Sequence, residues 1–232
     1  MQATEPVRVC IDRKLVRNSS SVERLAALRS ALWSRGTTLL IGFLDGDPEV
    51  HQRVEQVAQE WTKYANLTFR FIDSPANAQL RISFTPGGSW SYVGTEARAI
   101  PAQEPTMNLG WLTPRTDPEE YSRVVLHEFG HALGCIHEHQ NPAKGIRWNE
   151  PAVFAHYSGW PNYWSEETTR HNLLETYDKT LTVHSEFDPE SIMLYPVPAA
   201  HTLDGFSTEW NRKLSAKDID MIRTLYPGRP MR

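Results

Sequence analysis

Thirteen residues near the middle of the chain, HEFGHALGCIHEH at 127–139, hold four of its nine histidines. Residues four apart on an α-helix lie on the same face, so His127 and His131 can direct two imidazoles at one point. Gly134 follows three residues later, and glycine can adopt a positive φ that ends a helix and reverses the chain. The chain can then bring His137 back to the same point. The spacing predicts a helix, a glycine turn and three converging imidazoles.

These three imidazoles are the donor set of a catalytic zinc site. Catalytic zinc keeps three protein ligands and an open position for water, whereas structural zinc has four protein ligands. Glu128 lies about 100° round the helix from His127, which suits a base beside the metal better than a third ligand. Zinc would lower the pKa of the water toward about 7, while Glu128 accepts a proton and delivers it to a leaving amine. The pattern predicts one catalytic Zn²⁺ and peptide-bond hydrolysis.

The length of the motif separates it from a chance match. A short HExxH string occurs in many unrelated proteins, and two histidines on a helix are more often surface residues than ligands. Here the whole HExxHxxGxxH string is present, and the apolar residues VVL before it would bury the first turns of the helix. His139 lies two residues past His137 and is expected beside the site or at the surface, not on the metal.

The extended string resembles the zinc motif of the metzincin endopeptidases at each fixed position. SIMLYP at 191–196 is similar to the Met-turn of that clan. The resemblance implies that Met193 forms an apolar floor beneath the three imidazoles without touching the metal. It also implies that Tyr195 reaches the metal as a fifth ligand and swings away to stabilise the oxyanion, as in astacins and serralysins.

Within the clan, the chain most resembles the astacins. Glu138 directly after the third histidine, the FDPESIMLY context and the closing LSAKDIDMIRTLY are all similar to that subfamily. The resemblance implies that Glu138 supports the site and contacts the mature N-terminus. QNPAKG replaces the arginine and acidic residues that astacins usually carry there, and two cysteines cannot supply their paired disulfides. HEFGHALG also resembles matrixins, so a matrixin- or serralysin-like protease is the alternative within the clan.

The order of elements predicts an α+β fold with a mixed sheet backed by helices. Strands are expected at VRVCID (7–12), TLLIGFLD, LTFRFID, QLRISF (79–84) and TMNLGWL (106–112). Helices are expected in VERLAALRSALW, after Pro48, over 117–134, near SEETTRHNLLETY and in SAKDIDMIRTLY. The segment GGSWSYVG is expected to pack at the rim of a cleft.

The resemblance implies a metzincin, zincin-like architecture. An upper lobe would hold a twisted five-stranded sheet and helices, and a loop-rich lower lobe would end in a helix. We expect a single catalytic domain over 1–232, with an N-terminal lobe at 1–137 and a C-terminal lobe at 138–232. QLRISF fits the edge strand that pairs with extended substrate in this clan, and a place inside the sheet is equally compatible with its sequence.

Charge and hydropathy argue against two classes of partner. The formal net charge is −4 and no block of Lys or Arg stands out, so nucleic acid is not expected. The longest apolar run, TTLLIGF, is far shorter than the ~20 residues of a membrane helix. We expect a monomer that acts on protein or peptide substrates. The resemblance implies a secreted protein, although MQATEPVRVC lacks the pattern of a secretory signal.

The state of the two cysteines is left open by the sequence. Cys10 and Cys135 form either one disulfide or two buried thiols. Cys10 as a zinc-bound latency thiolate is disfavoured, because VRVCID is typical of a strand and does not resemble the matrixin propeptide motif.

A non-catalytic zinc-containing binding protein on the metzincin fold is the alternative function. Such proteins usually lose the glutamate or a ligand, and neither is lost here.

Overall fold

A mixed five-stranded sheet is the frame of the molecule. The computed structural model describes residues 10, 31–143, 145–160, 162–177 and 186–228. The strands are β1 Thr38–Phe43, β2 Thr68–Phe71, β3 Leu80–Ser83, β4 Ser89–Ser91 and β5 Met107–Leu109. They lie in the order β2-β1-β3-β5-β4, with β4 antiparallel to β5 and the other neighbours parallel. The predicted mixed sheet is confirmed.

The first described helix, α1 (Pro48–Thr62), makes the crossover that the parallel pairing of β1 and β2 requires. Asp47 caps it by accepting a hydrogen bond from the backbone N–H of Glu49 at 2.8 Å, and Pro48 pre-sets the first helical φ. The apolar positions of α1 recur at helical spacing and are buried against the sheet: Val50, Val54, Ala58 and Trp61.

The motif-bearing helix, α2 (Pro118–Ala132), packs against α1. Asp117 caps α2 in the same way as Asp47 caps α1, with a 2.8 Å hydrogen bond from the N–H of Glu119. The indole N–H of Trp61 donates to the carbonyl of Leu126 at 3.0 Å, which ties the two helices together beside the site. The predicted helix over 117–134 is therefore confirmed to within two residues of its C-terminal end.

Of the two places that the sequence left open for QLRISF, the structure has the interior one. QLRISF contains β3, which pairs with β1 on one side and β5 on the other and is therefore interior. The described edge beside β5 is β4, which comes from GGSWSYVG. Three residues give no measurable period-2 pattern, so only pairing with β5 makes this segment a strand. The expected strand at 7–12 lies outside the described residues except Cys10, which forms an isolated parallel bridge with Ser89.

The described part of the second half of the chain contains a helix that the sequence did not predict. Besides the expected short helix, α4 (Glu166–Thr169), which continues as a π-helix over Arg170–Leu174, the structure has α3 (Glu150–Tyr157). Only Val153 and Tyr157 of α3 are buried, too few positions to give a helical period. The helix predicted in VERLAALRSALW lies outside the described residues up to position 30.

The last described helix, α5 (Ala216–Leu225), begins with a capping box. Ser215 and Asp218 each accept a hydrogen bond from the other's backbone N–H, as the SAKD sequence predicts. Ile222 of α5 and Met193 both join the main hydrophobic core with the sheet and α2. A second apolar cluster lies around the site and consists of Cys10, Val153, Tyr157, Leu173 and Tyr195. Of the helices described, none is both long and apolar enough to cross a membrane.

Candidate zinc centre and active site

The end of α2 brings three imidazoles together as the spacing predicts. The Nε2 atoms of His127 and His131, one turn apart, are 3.2 Å from each other. Gly134 has a φ of +95°, and the N–H of Cys135 donates to the carbonyl of Gly130 at 2.9 Å, which closes the helix. The reversed chain returns His137, whose Nε2 is 3.1 Å from that of His131.

These distances fit a tetrahedral metal. Two nitrogens bound at 2.0–2.1 Å to a tetrahedral zinc are about 3.3 Å apart, close to the 3.1 and 3.2 Å separations here. The outer nitrogens are fixed as well, because Nδ1 of His127 pairs with the carbonyl of Ile192 at 2.8 Å and Nδ1 of His131 with that of Cys135 at 3.0 Å. Burial lowers the pKa of His127 well below its usual value, which keeps the ring neutral as a ligand must be.

Glu128 is buried beside the three rings, with 1 % of its surface exposed. It follows His127 on α2 and therefore lies on an adjacent face of the helix rather than in line with the ligands. Its Oε2 lies 3.3 Å from the Sγ of Cys10. The carboxylate is thus within reach of the position that a fourth donor to the metal would take.

Met193 packs so closely against the motif helix α2 that the helix requires glycine at the point of contact. A Cβ added to Gly130 would overlap the Met193 sulfur, far inside van der Waals contact. Gly130, the residue before His131 in the HExxH string, therefore lets the methionine side chain approach the helix between the two ligands. Nothing in the sequence marks Gly130, because only the tertiary structure brings position 193 against it.

The turn that carries Met193 is bonded to two of the ligand segments. The Ile192 carbonyl pairs with His127, and the Met193 carbonyl accepts from the N–H of Glu138 at 3.0 Å. Asp218 of α5 holds the same turn, since its carboxylate accepts from Ser191 Oγ at 2.7 Å and from the N–H of Ile192 at 2.8 Å. The C-terminal helix thereby orients the imidazole of His127 through the turn.

Asp218→Ala is expected to lower the free energy of unfolding by about 3 kcal/mol. The change leaves buried donors of the turn without an acceptor, each at a cost of about 1–3 kcal/mol. For a chain of this size the melting temperature should fall by about 6–12 °C in calorimetry. Asp220→Ala on the exposed face of α5 is the matched control, because its 3.7 Å pair with Arg223 is largely exposed and should contribute little. Equal melting temperatures for the two variants would contradict the holding role of Asp218.

Tyr195 lies against the ligand cluster and is 3 % exposed. Its ring centroid is 4.6 Å from that of His137 and 5.9 Å from that of His127. The hydroxyl donates to the backbone carbonyl of Cys10 at 2.5 Å. The tyrosine two residues after the methionine is therefore beside the metal position, and its hydroxyl is bonded to Cys10.

Glu138 and His139 connect the third ligand to the C-terminal half of the chain. Oε1 of Glu138 accepts from the Asn141 side chain and from the N–H of Asp188, both at 2.8 Å. Burial outweighs these hydrogen bonds and raises the pKa of Glu138 to about 7. His139 is buried, its Nε2 pairs with the carbonyl of Asn172 at 2.8 Å, and its ring stacks on His137. The expectation that His139 lies beside the site is confirmed.

The position of Cys10 contradicts the sequence analysis, which disfavoured it as a metal ligand. The Sγ of Cys10 and one ring nitrogen from each of His127, His131 and His137 all lie within 4.8 Å of one another. Both cysteines are free thiols, so the alternative of a disulfide between Cys10 and Cys135 is wrong in this structure. No local pattern in VRVCID indicates a ligand, because the contact joins residues more than a hundred positions apart.

The chain matches a family model and two sets of solved structures. The model for the astacin family of peptidases matches residues 30–227. One structure of myroilysin is 48% identical, with a TM-score of 0.85 over 88% of this chain and 98% of that chain. A second myroilysin structure is 44% identical, with a TM-score of 0.71 over 97% of this chain and 93% of that chain.

A more distant neighbour shares the fold. High choriolytic enzyme 1, a hatching enzyme zinc-protease from the medaka fish Oryzias latipes, is 18% identical, with a TM-score of 0.60 over 86% of this chain and 96% of that chain. No curated protein matches the chain significantly. The family model covers most of the chain, including the three histidines, Glu128 and the Met193 turn. The chain belongs to the astacin family and is a zinc-dependent peptide hydrolase with the metzincin fold.

Proposed function

We propose that this protein is an endopeptidase in which His127, His131 and His137 hold the zinc ion, Glu128 is the general base and acid, and Tyr195 is the oxyanion donor. The observation that carries the proposal is the convergence of three Nε2 atoms, at 3.1 and 3.2 Å, beside a buried carboxylate. Met193, Gly134 and Glu138 have supporting roles in holding the ligands.

When bound, zinc supplies Lewis acidity, which polarises the substrate carbonyl and makes a nearby water acidic. Glu128 accepts the proton of the attacking water and later delivers it to the leaving amine, so one carboxylate acts as base and then as acid. Tyr195 donates its hydroxyl proton in a hydrogen bond to the oxygen that becomes negative as water adds to the carbonyl. The carbonyls of Ile192 and Cys135 keep His127 and His131 oriented throughout.

Extended segments of proteins or peptides are the proposed substrates. Strand β4 is the described edge of the sheet beside α2, and an extended peptide can add to such an edge by main-chain hydrogen bonds. We propose a single catalytic domain with lobes at 1–137 and 138–232, a monomeric state and secretion from the cell. The match of one family model to residues 30–227 supports the single domain. Detection of the protein in culture medium would test secretion, and its sedimentation behaviour would test the monomeric state.

The alternative of a non-catalytic zinc-binding protein has less support. Such a protein needs neither a buried base nor a tyrosine beside its metal, and here Glu128 and Tyr195 are both buried at the ligand cluster. Cleavage of casein that is lost with a strong chelator and restored by zinc would favour the protease. The alternative would be favoured by a chain whose metal position is open and that binds zinc stably but cleaves no casein.

Tyr195→Phe is expected to lower kcat by about 10² to 10³, the usual cost of one oxyanion donor. The phenylalanine ring keeps the contacts with His137 and His139, so zinc content and KM should change little. Casein or peptide hydrolysis should be measured in a Cys10→Ala background, in which the sulfur no longer lies over the metal position. Tyr163→Phe, on an exposed tyrosine, is the matched control and should retain full turnover. Full turnover in Tyr195→Phe would contradict the oxyanion role.

A further inference from the structure

The segment that follows the third ligand is bonded to the π-helix Arg170–Leu174, which continues α4. The carbonyl of Asn172 in this turn accepts a hydrogen bond from Nε2 of His139 at 2.8 Å. The carbonyl of His171 accepts one from the side chain of Gln140, also at 2.8 Å. Single π-turns are rare and occur frequently at functional sites. This one presents two successive backbone acceptors to two successive buried side chains.

The π-helix is held in place by its own contacts. Leu173 is buried in the apolar cluster that also contains Tyr195. The Asn172 side chain donates to the carbonyl of Thr168 in α4 at 2.9 Å. The Asn172 carbonyl is therefore a fixed acceptor, and one edge of the His139 imidazole is fixed with it.

Three rings, those of His137, His139 and Tyr195, contact one another in a nearly equilateral triangle. The centroid of His139 is 4.9 Å from that of His137 and 4.6 Å from that of Tyr195. The centroids of His137 and Tyr195 are also 4.6 Å apart. These separations are at the close end of the range for aromatic pairs, about 4.5–7 Å. His139 thus contacts both the third ligand and the proposed oxyanion donor, while its Nε2 is bonded away from the metal position.

We propose that His139 is a positioning residue for Tyr195, because the π-helix fixes the imidazole and the imidazole fixes the place of the tyrosine ring beside His137. A catalytic donor must be held within about 0.5 Å of its productive position. A displacement of about 1 Å can cost about 10² in rate. A ring packed against Tyr195 limits where the hydroxyl can travel as it moves toward the oxyanion. The inference rests on the proposed protease function.

The effect of the ring is tested by His139→Gln, with casein and peptide hydrolysis measured in the Cys10→Ala background. Glutamine can still donate to the Asn172 carbonyl but has no ring to pack against Tyr195. We expect kcat to fall about ten- to a hundredfold, while KM and the content of one zinc ion change little. His171→Gln is the matched control, the same change at a partly exposed histidine, and its kcat should stay within about twofold. An unchanged kcat in His139→Gln would overturn the positioning role.

His139→Phe separates the ring from its hydrogen bond. Phenylalanine keeps a planar ring beside Tyr195 and cannot donate to the Asn172 carbonyl, so kcat should stay within about threefold of the Cys10→Ala background. A residue whose only role is the hydrogen bond would not be rescued in this way. The phenylalanine also keeps the core filled, which guards against a loss of activity through unfolding. A kcat in His139→Phe as low as in His139→Gln would overturn the role of the ring.

The route through the tyrosine is tested by a double-mutant cycle. In a Tyr195→Phe chain no hydroxyl remains to be misplaced, so adding His139→Gln should lower kcat by no more than about twofold further. Residues that act through one another show such non-additive effects. A further loss of about tenfold in the Tyr195→Phe chain would mean that the imidazole acts elsewhere, and would overturn the inference.

The ring contact is tested independently of activity by fluorine NMR of the zinc-loaded full chain labelled with 3-fluorotyrosine. The Tyr195 resonance is identified by its absence in Tyr195→Phe. It should move in His139→Gln, because the ring current of the neighbour is lost, and stay in place in His171→Gln. An unmoved resonance in His139→Gln would overturn the contact while the protease function stood. Absence of casein cleavage by the Cys10→Ala chain with one bound zinc would instead overturn the protease function, and with it the catalytic role of Tyr195.

Discussion

Glu128→Gln is expected to lower kcat for peptide cleavage by about 10³ to 10⁴, the upper part of the range for general acid–base catalysis. Glutamine has the shape of glutamate and cannot accept a proton, and the same carboxylate is assigned both proton transfers. The chain should still bind one zinc ion, because Glu128 is not one of the three ligands. Hydrolysis of casein and of a peptide should be followed with metal analysis of the same preparation, in the Cys10→Ala background.

Glu119→Gln is the matched control for this experiment. It makes the same chemical change on the same helix, and Glu119 is largely exposed in a 3.2 Å pair with Arg212. Its kcat should stay within about twofold of the parent, as surface ion pairs contribute little. A Glu128→Gln chain that retains its zinc and cleaves casein at the parent rate would reject Glu128 as the base.

His131→Ala is expected to weaken zinc binding by about 10² to 10³, since one of the metal's donors carries a large share of a binding free energy of about 10–16 kcal/mol. His131 is the central ligand, within 3.2 Å of the Nε2 atoms of both other histidines. Competition with a chelator of known affinity measures the change directly. The melting temperature should also lose most of its dependence on zinc, because bound metal stabilises only the folded chain.

His139→Gln distinguishes a ligand from a buried neighbour. Its ring stacks on His137 with centroids 4.9 Å apart, yet its Nε2 pairs with the Asn172 carbonyl and not with the metal position. Glutamine can donate to the same carbonyl, so zinc affinity should change by less than about tenfold, below the cost of about 10- to 100-fold for losing a residue that bonds to a metal ligand. If His131→Ala and His139→Gln weakened zinc binding equally, the three-histidine assignment would be wrong.

The metal site was predictable because its geometry is mostly local. His127 and His131 are one helical turn apart, Gly134 can take the φ of +95° that reverses the chain, and His137 follows three residues later. The helix N-caps at Asp117 and Ser215 were equally predictable, because each cap side chain accepts a hydrogen bond from a backbone N–H within three residues. Met193 and Tyr195 were predicted from the resemblance to a family. No spacing along the chain relates these two residues to the histidines.

Contacts between distant residues were not predictable in this way. The sequence left QLRISF either at an edge of the sheet or inside it, and only its pairing with both β1 and β5 decides for the interior. The edge strand β4 has three residues with no pattern of their own, and only its pairing with β5 makes it a strand. Gly130 is needed because Met193 packs against it, and His127 is oriented by a turn that Asp218 holds from the last helix.

Local spacing therefore determined which residues can bind zinc and which carboxylate lies beside them, since an α-helix repeats every 3.6 residues whatever surrounds it. Only the tertiary structure decided which distant groups lie beside these imidazoles. The Sγ of Cys10 meets imidazoles at positions 127, 131 and 137, and its carbonyl meets Tyr195, across separations of more than a hundred residues. Such contacts depend on the packing of the whole chain and leave no periodic signal in the sequence.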